Sequence, residues 1–564
     1  MSISMGERRR TYRRLVRPAL ATGGLLLACL SANYATAKTA PCSQLRQGTS
    51  AKVEILAATA VVGSMPALDQ VSGRGSRAGQ IDHNLLDLPE FCRVNAILKP
   101  VPGSRIEIEM WLPKAWNGKL LGIGSHGFGG NFERGDMAMA LHRGYAVVTS
   151  NLGHSSRISE TQAGFNVGDA RFAIGNEVAI DDFAWRATHE MTVAAKMFVR
   201  RFYGKAARRA YFDGCSNGGR QAMREAQQFP RDYDGIIAGS AAMNWTRSFA
   251  ATVSYLQAGM LPSGAKMTDS KLQLAQRAAI ASCDGLDGAT DKLIADPQRC
   301  GWRAAEIVCR PGQEVSSCLT VEEAAAIDKV HSAITDPHTG ARIYDGLMPG
   351  SEVSWRNMLG FNAVSANFFR YMVMNDANWT PTPNTDLLAV LARSELPGSP
   401  GMRINSTNPN LSAFRTRGGK LIQYHGWADP SFGPVDATRY YEEVIDLQPG
   451  ANKLAQTKAF YRLFMLPGMA HCYGGQGPIN FGALDHTPLT QLDADHDVLE
   501  ALDRWVEKSV APDKIIATEF TDSNKVRRQM PICTYPKVAV YSGGDMNRPG
   551  SFTCTSPGTA KTAG

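Results

Sequence analysis

The sequence predicts an α/β fold: a mostly parallel β-sheet with helices on both faces, interrupted by one large insertion. Three observations carry this. Strand-like apolar runs alternate with helical spacing between Arg105 and Gly239. A glycine-rich turn at Asp213–Gly219 joins a short strand run to a helical run. The alternation fades from about Met243 to Asn405 and resumes at Lys420. Such alternation marks parallel strands linked by crossover helices.

Each element follows from its spacing. In Arg105–Leu112, Ile106, Ile108 and Met110 share one face, so the run reads as a strand with Glu107 and Glu109 turned to water. Lys119–Ile123 is the next strand and leads into the glycine-rich stretch Gly124–Gly130. Tyr145–Ser150 reads as a buried strand. From Asp182 to Tyr203, Ala184, Ala187, Met191, Ala194, Phe198 and Phe202 recur every three or four residues, which predicts a helix. Ala210–Phe212 is a short strand, a helix runs from Arg220 to about Gln228, and Tyr233–Gly239 is another strand. Past the insertion, Lys420–Tyr424 and Ala459–Met465 read as strands and Asp495–Lys508 as a helix. The division expected is a leader at 1–37, a first part of the core at 38–242, an inserted lid at 243–405 and a second part of the core at 406–564.

A chain of 564 residues exceeds one simple core, which agrees with an insertion. The net charge of +8 is concentrated at the start. Residues 1–37 hold six arginines and one acid, so the rest carries about +3, with no basic stripe for nucleic acid and no polybasic anchor. That start reads as an export signal: arginines, an apolar run from Ala19 to Leu30 too short for a permanent span, and the small-x-small site Ala35-Thr36-Ala37. Leu26-Leu27-Ala28-Cys29 loosely resembles a lipobox, so the expectation is a secreted or periplasmic protein, with a lipoprotein as a variant. Ten cysteines follow the leader, and an even number in an oxidising compartment argues for disulfides.

Gly214-Cys215-Ser216-Asn217-Gly218-Gly219 fits Gly-x-Ser-x-Gly between a strand and a helix. A nucleophilic serine on such a turn needs small neighbours, and the helix that follows aims its first N–H groups at a developing oxyanion. In α/β-hydrolases the base and its orienting acid follow the serine in the order acid, then histidine. Six histidines follow Ser216: His331, His338, His425, His471, His486 and His496. His471 lies on a loop after a late strand, the position a base requires; His425 also follows a strand. Asp429 stands just beyond the Lys420–Tyr424 strand, where the acid belongs. Ser216, Asp429 and His471 are therefore the expected nucleophile, acid and base. Cys215 precedes Ser216 and Cys472 follows His471, so a working pair would bring the two sulfurs together and a disulfide is expected there.

These residues together resemble the tannase and feruloyl esterase family, which carries a Cys-Ser…Asp…His-Cys arrangement. Tyr211–Arg220, Phe229–Gly239, Tyr424–Pro430 and Leu466–Cys472 extend the similarity, which is weakest across 340–405. The resemblance implies an α/β-hydrolase core whose lid covers the aromatic acid of a small ester substrate. It places the oxyanion donors at the N–H groups of Gly127 and Asn217, and an aromatic that stacks on the substrate at Phe432. It also implies a structural calcium held by the carboxylates of Asp284, Asp287 and Asp291 and the carbonyls of Ala289 and Leu293, an all-oxygen set suited to a hard cation. The disulfide pairs it implies are Cys42–Cys92, Cys283–Cys300, Cys309–Cys318 and Cys533–Cys554.

The expected activity is hydrolysis of feruloyl, caffeoyl or galloyl esters through an acyl-enzyme. Within the same family, terephthalate monoester hydrolysis uses a lid arginine; the matching stretch Phe361–Tyr371 has only Arg370, displaced toward its end. A peptidase on the same core and a catalytically silent binding homologue are the other readings.

Overall fold

In the computed structural model the described residues are 40–66, 85–156, 166–258, 267–355, 363–483 and 491–556. The expected leader, and the first residues of the Phe361–Tyr371 stretch, lie outside them.

Nine strands build the main sheet. They are β1 (Val53–Gly63), β2 (Leu88–Leu98), β3 (Ile106–Pro113), β4 (Lys119–Ile123), β5 (Ala146–Ser150), β6 (Arg209–Cys215), β7 (Gly235–Gly239), β8 (Lys420–Gly426) and β9 (Tyr461–Leu466). Their order across the sheet is β1-β2-β3-β5-β4-β6-β7-β8-β9. From β5 to β9 neighbouring strands run parallel, while β1, β2 and β3 pair antiparallel and add one edge. The α/β-hydrolase core expected from the sequence is present. Two strands precede the first one expected. β1 is alanine-rich, lies at the sheet edge and is mostly half-buried or exposed, so its alternation is muted.

Helices cover both faces, because buried strands send successive side chains to opposite sides. In β6, Tyr211 joins the core beneath α1 (Arg134–His142), whereas Phe212 joins the core beneath α2 (Ala187–Tyr203) and α3 (Asn217–Gln228). The sequence-predicted helix from Asp182 opens with one π-helical turn, Asp182–Arg186, before α2. Among the described residues, no strand of the main sheet lies between Gly239 and Lys420. That segment contributes α4 (Trp245–Gln257), α5 (Asp269–Cys283) and shorter helices, and its Trp245, Phe249 and Phe368 share a core with Phe432.

Glu109 departs from expectation. It is fully buried rather than turned to water. α1 covers that face and brings Arg134, whose Nη2 donates to Glu109 at 2.9 Å. Arg93 on β2 donates twice at 2.9 Å, and the Trp111 indole N–H donates at 2.8 Å. Burial alone would raise this carboxyl, but the charges of Arg134 and Arg93 outweigh it and hold it at about 2, below an ordinary value of 4.5. A folded-state value below the unfolded one stabilises the fold above about pH 4.5, and that stabilisation fades as pH falls through 2.

Replacing Glu109 by Gln leaves two guanidinium groups facing a neutral amide, and it is expected to cost about 2–4 kcal/mol at pH 7. Urea denaturation at pH 7 and pH 3 checks this. The loss must shrink at the lower pH, and equal stability at pH 7 would show that the ion pairs contribute nothing.

Candidate active site

The nucleophile turn is shaped by close backbone contact. Ser216 links β6 to α3 with φ 62° and ψ −121°, a strained conformation for a residue with a side chain. A Cβ on Gly214 would lie 2.7 Å from the carbonyl carbon of Gly218, and one on Gly218 would lie 3.1 Å from Gly124, so each glycine of the motif makes room for neighbouring backbone. The Ser216 N–H donates to Gly239 O at 3.0 Å, and Ser216 O accepts from Ala242 N–H at 3.1 Å, which fastens the turn to the end of β7.

His471 Nε2 stands 2.8 Å from Ser216 Oγ, and its Nδ1 stands 2.8 Å from Asp429 Oδ2. Three side chains from the ends of β6, β8 and β9 therefore meet in one line. The acid and base loops are pinned to each other: Trp427 N–H donates to Leu466 O, and Ala428 N–H to Met469 O, each at 2.9 Å. Gly426 permits this, because a Cβ there would collide with Met469 O. The expected Cys215–Cys472 disulfide joins the nucleophile turn to the base loop. The four other implied pairs, Cys42–Cys92, Cys283–Cys300, Cys309–Cys318 and Cys533–Cys554, are also present. Of the competing histidines, His331 is held by Leu347 O and Glu352, and His496 pairs with Asp493 on the surface.

Asp429 is fully buried. Its Oδ1 accepts the N–H groups of Ser431 at 2.8 Å and Phe432 at 3.2 Å. Burial pushes its carboxyl up, yet the His471 charge and the hydrogen bonds from His425 and His471 prevail and hold it well below the usual carboxylate range. It is therefore an anion at any pH where the protein works. The sequence reading weighed His425 only as a rival base and missed its contact with Asp429, Nε2 to Oδ2 at 3.1 Å.

The glycine-rich stretch lies over the nucleophile turn: a Cβ on Gly124 would sit 2.5 Å from Gly218 Cα. Gly127 lies three residues on, with φ 52°. Asn217 is the first residue of α3, where backbone N–H groups lack helical partners. Its side-chain Oδ1 accepts from Arg220 Nε at 2.7 Å. Arg220, which the sequence reading also missed, is completely buried and donates to Ala184 O, Phe183 O and Ile404 O at 2.6–3.3 Å. Burial, then the like charge of Arg224, depresses its basicity strongly.

Phe432 is buried with its ring centroid 5.6 Å from that of His471 and 5.7 Å from that of Phe249. It thus flanks the base at the edge of an aromatic cluster. Arg370 donates through Nε to Trp379 O at 2.6 Å and through Nη1 to Asn367 at 3.3 Å, both within its own segment.

In the acidic loop, Asp284 accepts the N–H groups of Asp291, Lys292 and Leu293 at 3.0–3.1 Å, and Asp287 accepts that of Ala289 at 2.9 Å. Burial, with a smaller push from Asp284, raises the Asp287 carboxyl to about 6. The buried acids and all-oxygen donors suit calcium chemically. One carboxylate, Asp291, already pairs with the Arg528 guanidinium. Among the described residues, the group whose ligand atoms lie within 4.8 Å of one another is instead His126, Glu133 and Asp136, which the sequence reading did not single out.

Residues 92–555 match the family described as tannase and feruloyl esterase. An uncharacterized esterase of Xanthomonas campestris pv. campestris is 34% identical over 541 residues, covering 90% of this chain and 92% of that one. Feruloyl esterase B of Aspergillus niger is 31% identical over 471 residues, covering 82% and 87%. The crystal structure of feruloyl esterase B from Aspergillus oryzae superposes with a TM-score of 0.80 at 28% identity, covering 91% of this chain and 99% of that one. Matched along most of its length by family, relatives and fold, the chain belongs to the tannase and feruloyl esterase family of carboxylic ester hydrolases.

Proposed function

We propose that the protein is an exported serine esterase that cleaves feruloyl, caffeoyl or galloyl esters through an acyl-enzyme. The observation that carries this reading is the line from Ser216 through His471 to Asp429, with both hydrogen bonds at 2.8 Å. Ser216 Oγ attacks the ester carbonyl while His471 Nε2 takes its proton. Asp429, kept anionic, fixes the Nδ1–H tautomer and stabilises the imidazolium. The N–H groups of Gly127 and Asn217 receive the oxyanion. His471 then protonates the leaving alcohol, and water, activated by the same imidazole, releases the phenolic acid. The aromatic cluster around Phe432 supports an aromatic acyl group. The apolar leader and five disulfides support export; among the described residues no helix is long and apolar enough to cross a membrane. Calcium in the acidic loop would be held by Asp284, Asp287 and Asp291 with the Ala289 and Leu293 carbonyls. Its contribution when bound is structural, a countercharge for buried acids.

Four measurements test these readings. Ser216→Ala is expected to lower kcat on methyl ferulate, methyl gallate or chlorogenate by about 10⁴-fold and to abolish fluorophosphonate labelling. Near-native turnover by that variant would reject the mechanism. With the terephthalate monoester and peptides assayed beside these esters, a preference for either would reject the substrate class. Chelation is expected to lower Tm by several degrees, with calcium restoring it; an unchanged Tm and no bound metal by elemental analysis would remove calcium from the picture. The Cys215→Ala, Cys472→Ala double variant opens a loop spanning 257 positions. It is expected to lose about 2–5 kcal/mol of stability and at least ~10-fold in kcat, read by denaturation and ester hydrolysis.

A further inference from the structure

His425 is the most completely placed titratable side chain that the mechanism above does not use. It is the penultimate residue of β8, four residues before Asp429, and is 1% exposed. Its Nε2 lies 2.9 Å from the carbonyl oxygen of Phe432. A carbonyl only accepts, so Nε2 carries the hydrogen. That same nitrogen lies 3.1 Å from Asp429 Oδ2, the oxygen that also receives His471. The other nitrogen, Nδ1, is buried without a hydrogen-bond partner. A ring that carries its proton on Nε2 leaves no N–H stranded at Nδ1.

Asp429 thereby holds three hydrogen bonds, two from backbone N–H groups on Oδ1 and one from His471 on Oδ2, and Oδ2 also faces His425 Nε2 at 3.1 Å. Both carboxylate oxygens are thus engaged, and the group cannot rotate without losing one of these contacts. We infer that His425 is a positioning residue for the reaction: its shared N–H fixes the Asp429 carboxylate that aims His471, and ties the Phe432 backbone to the same point. The inference rests on the mechanism proposed above and deepens it. His425 touches neither substrate nor nucleophile; it acts through Asp429. Because Phe432 flanks His471, one proton links the aim of the base to the placement of the ring beside it.

The test compares His425→Leu, which removes the donor, with His425→Gln, whose amide N–H reaches the position of Nε2. His425→Asn, polar but too short, serves as a second loss variant should the leucine form fold poorly. The loss variants are expected to drop kcat on methyl ferulate at least ~20-fold with KM within ~3-fold of wild type, and to slow fluorophosphonate labelling of Ser216 in step. The glutamine form is expected to recover to within ~5-fold. A folded loss variant with kcat within ~2-fold of wild type, a loss confined to KM, or no recovery by glutamine would overturn the inference. An active Ser216→Ala enzyme would instead overturn the mechanism beneath it, so the two failures are told apart.

Discussion

The pairing of Asp429 with His471 depends on the backbone lock between the loops that follow β8 and β9. Trp427 and Ala428 donate to carbonyls of the loop that carries His471, and Gly426 leaves the space for that crossing. The loops that carry Asp429 and His471 are thus set relative to each other by main-chain bonds. The nucleophile turn is fastened independently to β7, which lies between β6 and β8 in the sheet. The three groups are brought together by strand order, with parallel strands delivering their carboxyl ends to one edge.

Buried charge is the second theme, and each case is resolved differently. Glu109 sits between two arginines and acts as a joint between β2, β3 and α1. Arg220 has no carboxylate partner in its hydrogen bonds; backbone carbonyls of the segments around Phe183 and Ile404 absorb its donors. Arg224 does the same with Arg403 and Ile404. These two side chains stitch α3, the helix behind the nucleophile, to segments distant in sequence. The cost of desolvating a guanidinium is offset by several charge-assisted hydrogen bonds, and removing one partner would strand the remainder.

Much of this was legible in the sequence because the constraints are local. The Lys119–Ile123 strand, the glycine turn at 214–219 and the Asp429 turn each follow from a handful of adjacent residues. Adjacent cysteines beside Ser216 and His471 carried long-range information unusually well. The unread parts depend on partners far along the chain. Glu109 looks like one half of an alternating polar face, and only the arrival of Arg134 makes it buried. β1 has too much alanine to show an alternation. His425 was visible as a histidine after a strand, but its task is set by where Asp429 and the Phe432 carbonyl fall after folding. The acidic loop suggests a cation site by resemblance alone, and the Arg528 contact leaves no local signal.

The disulfide between the neighbours of Ser216 and His471 has a further consequence. Its two sulfurs form a covalent clasp only where thiols oxidise, so a newly made chain in a reducing cytosol lacks the bond that joins its two reacting loops.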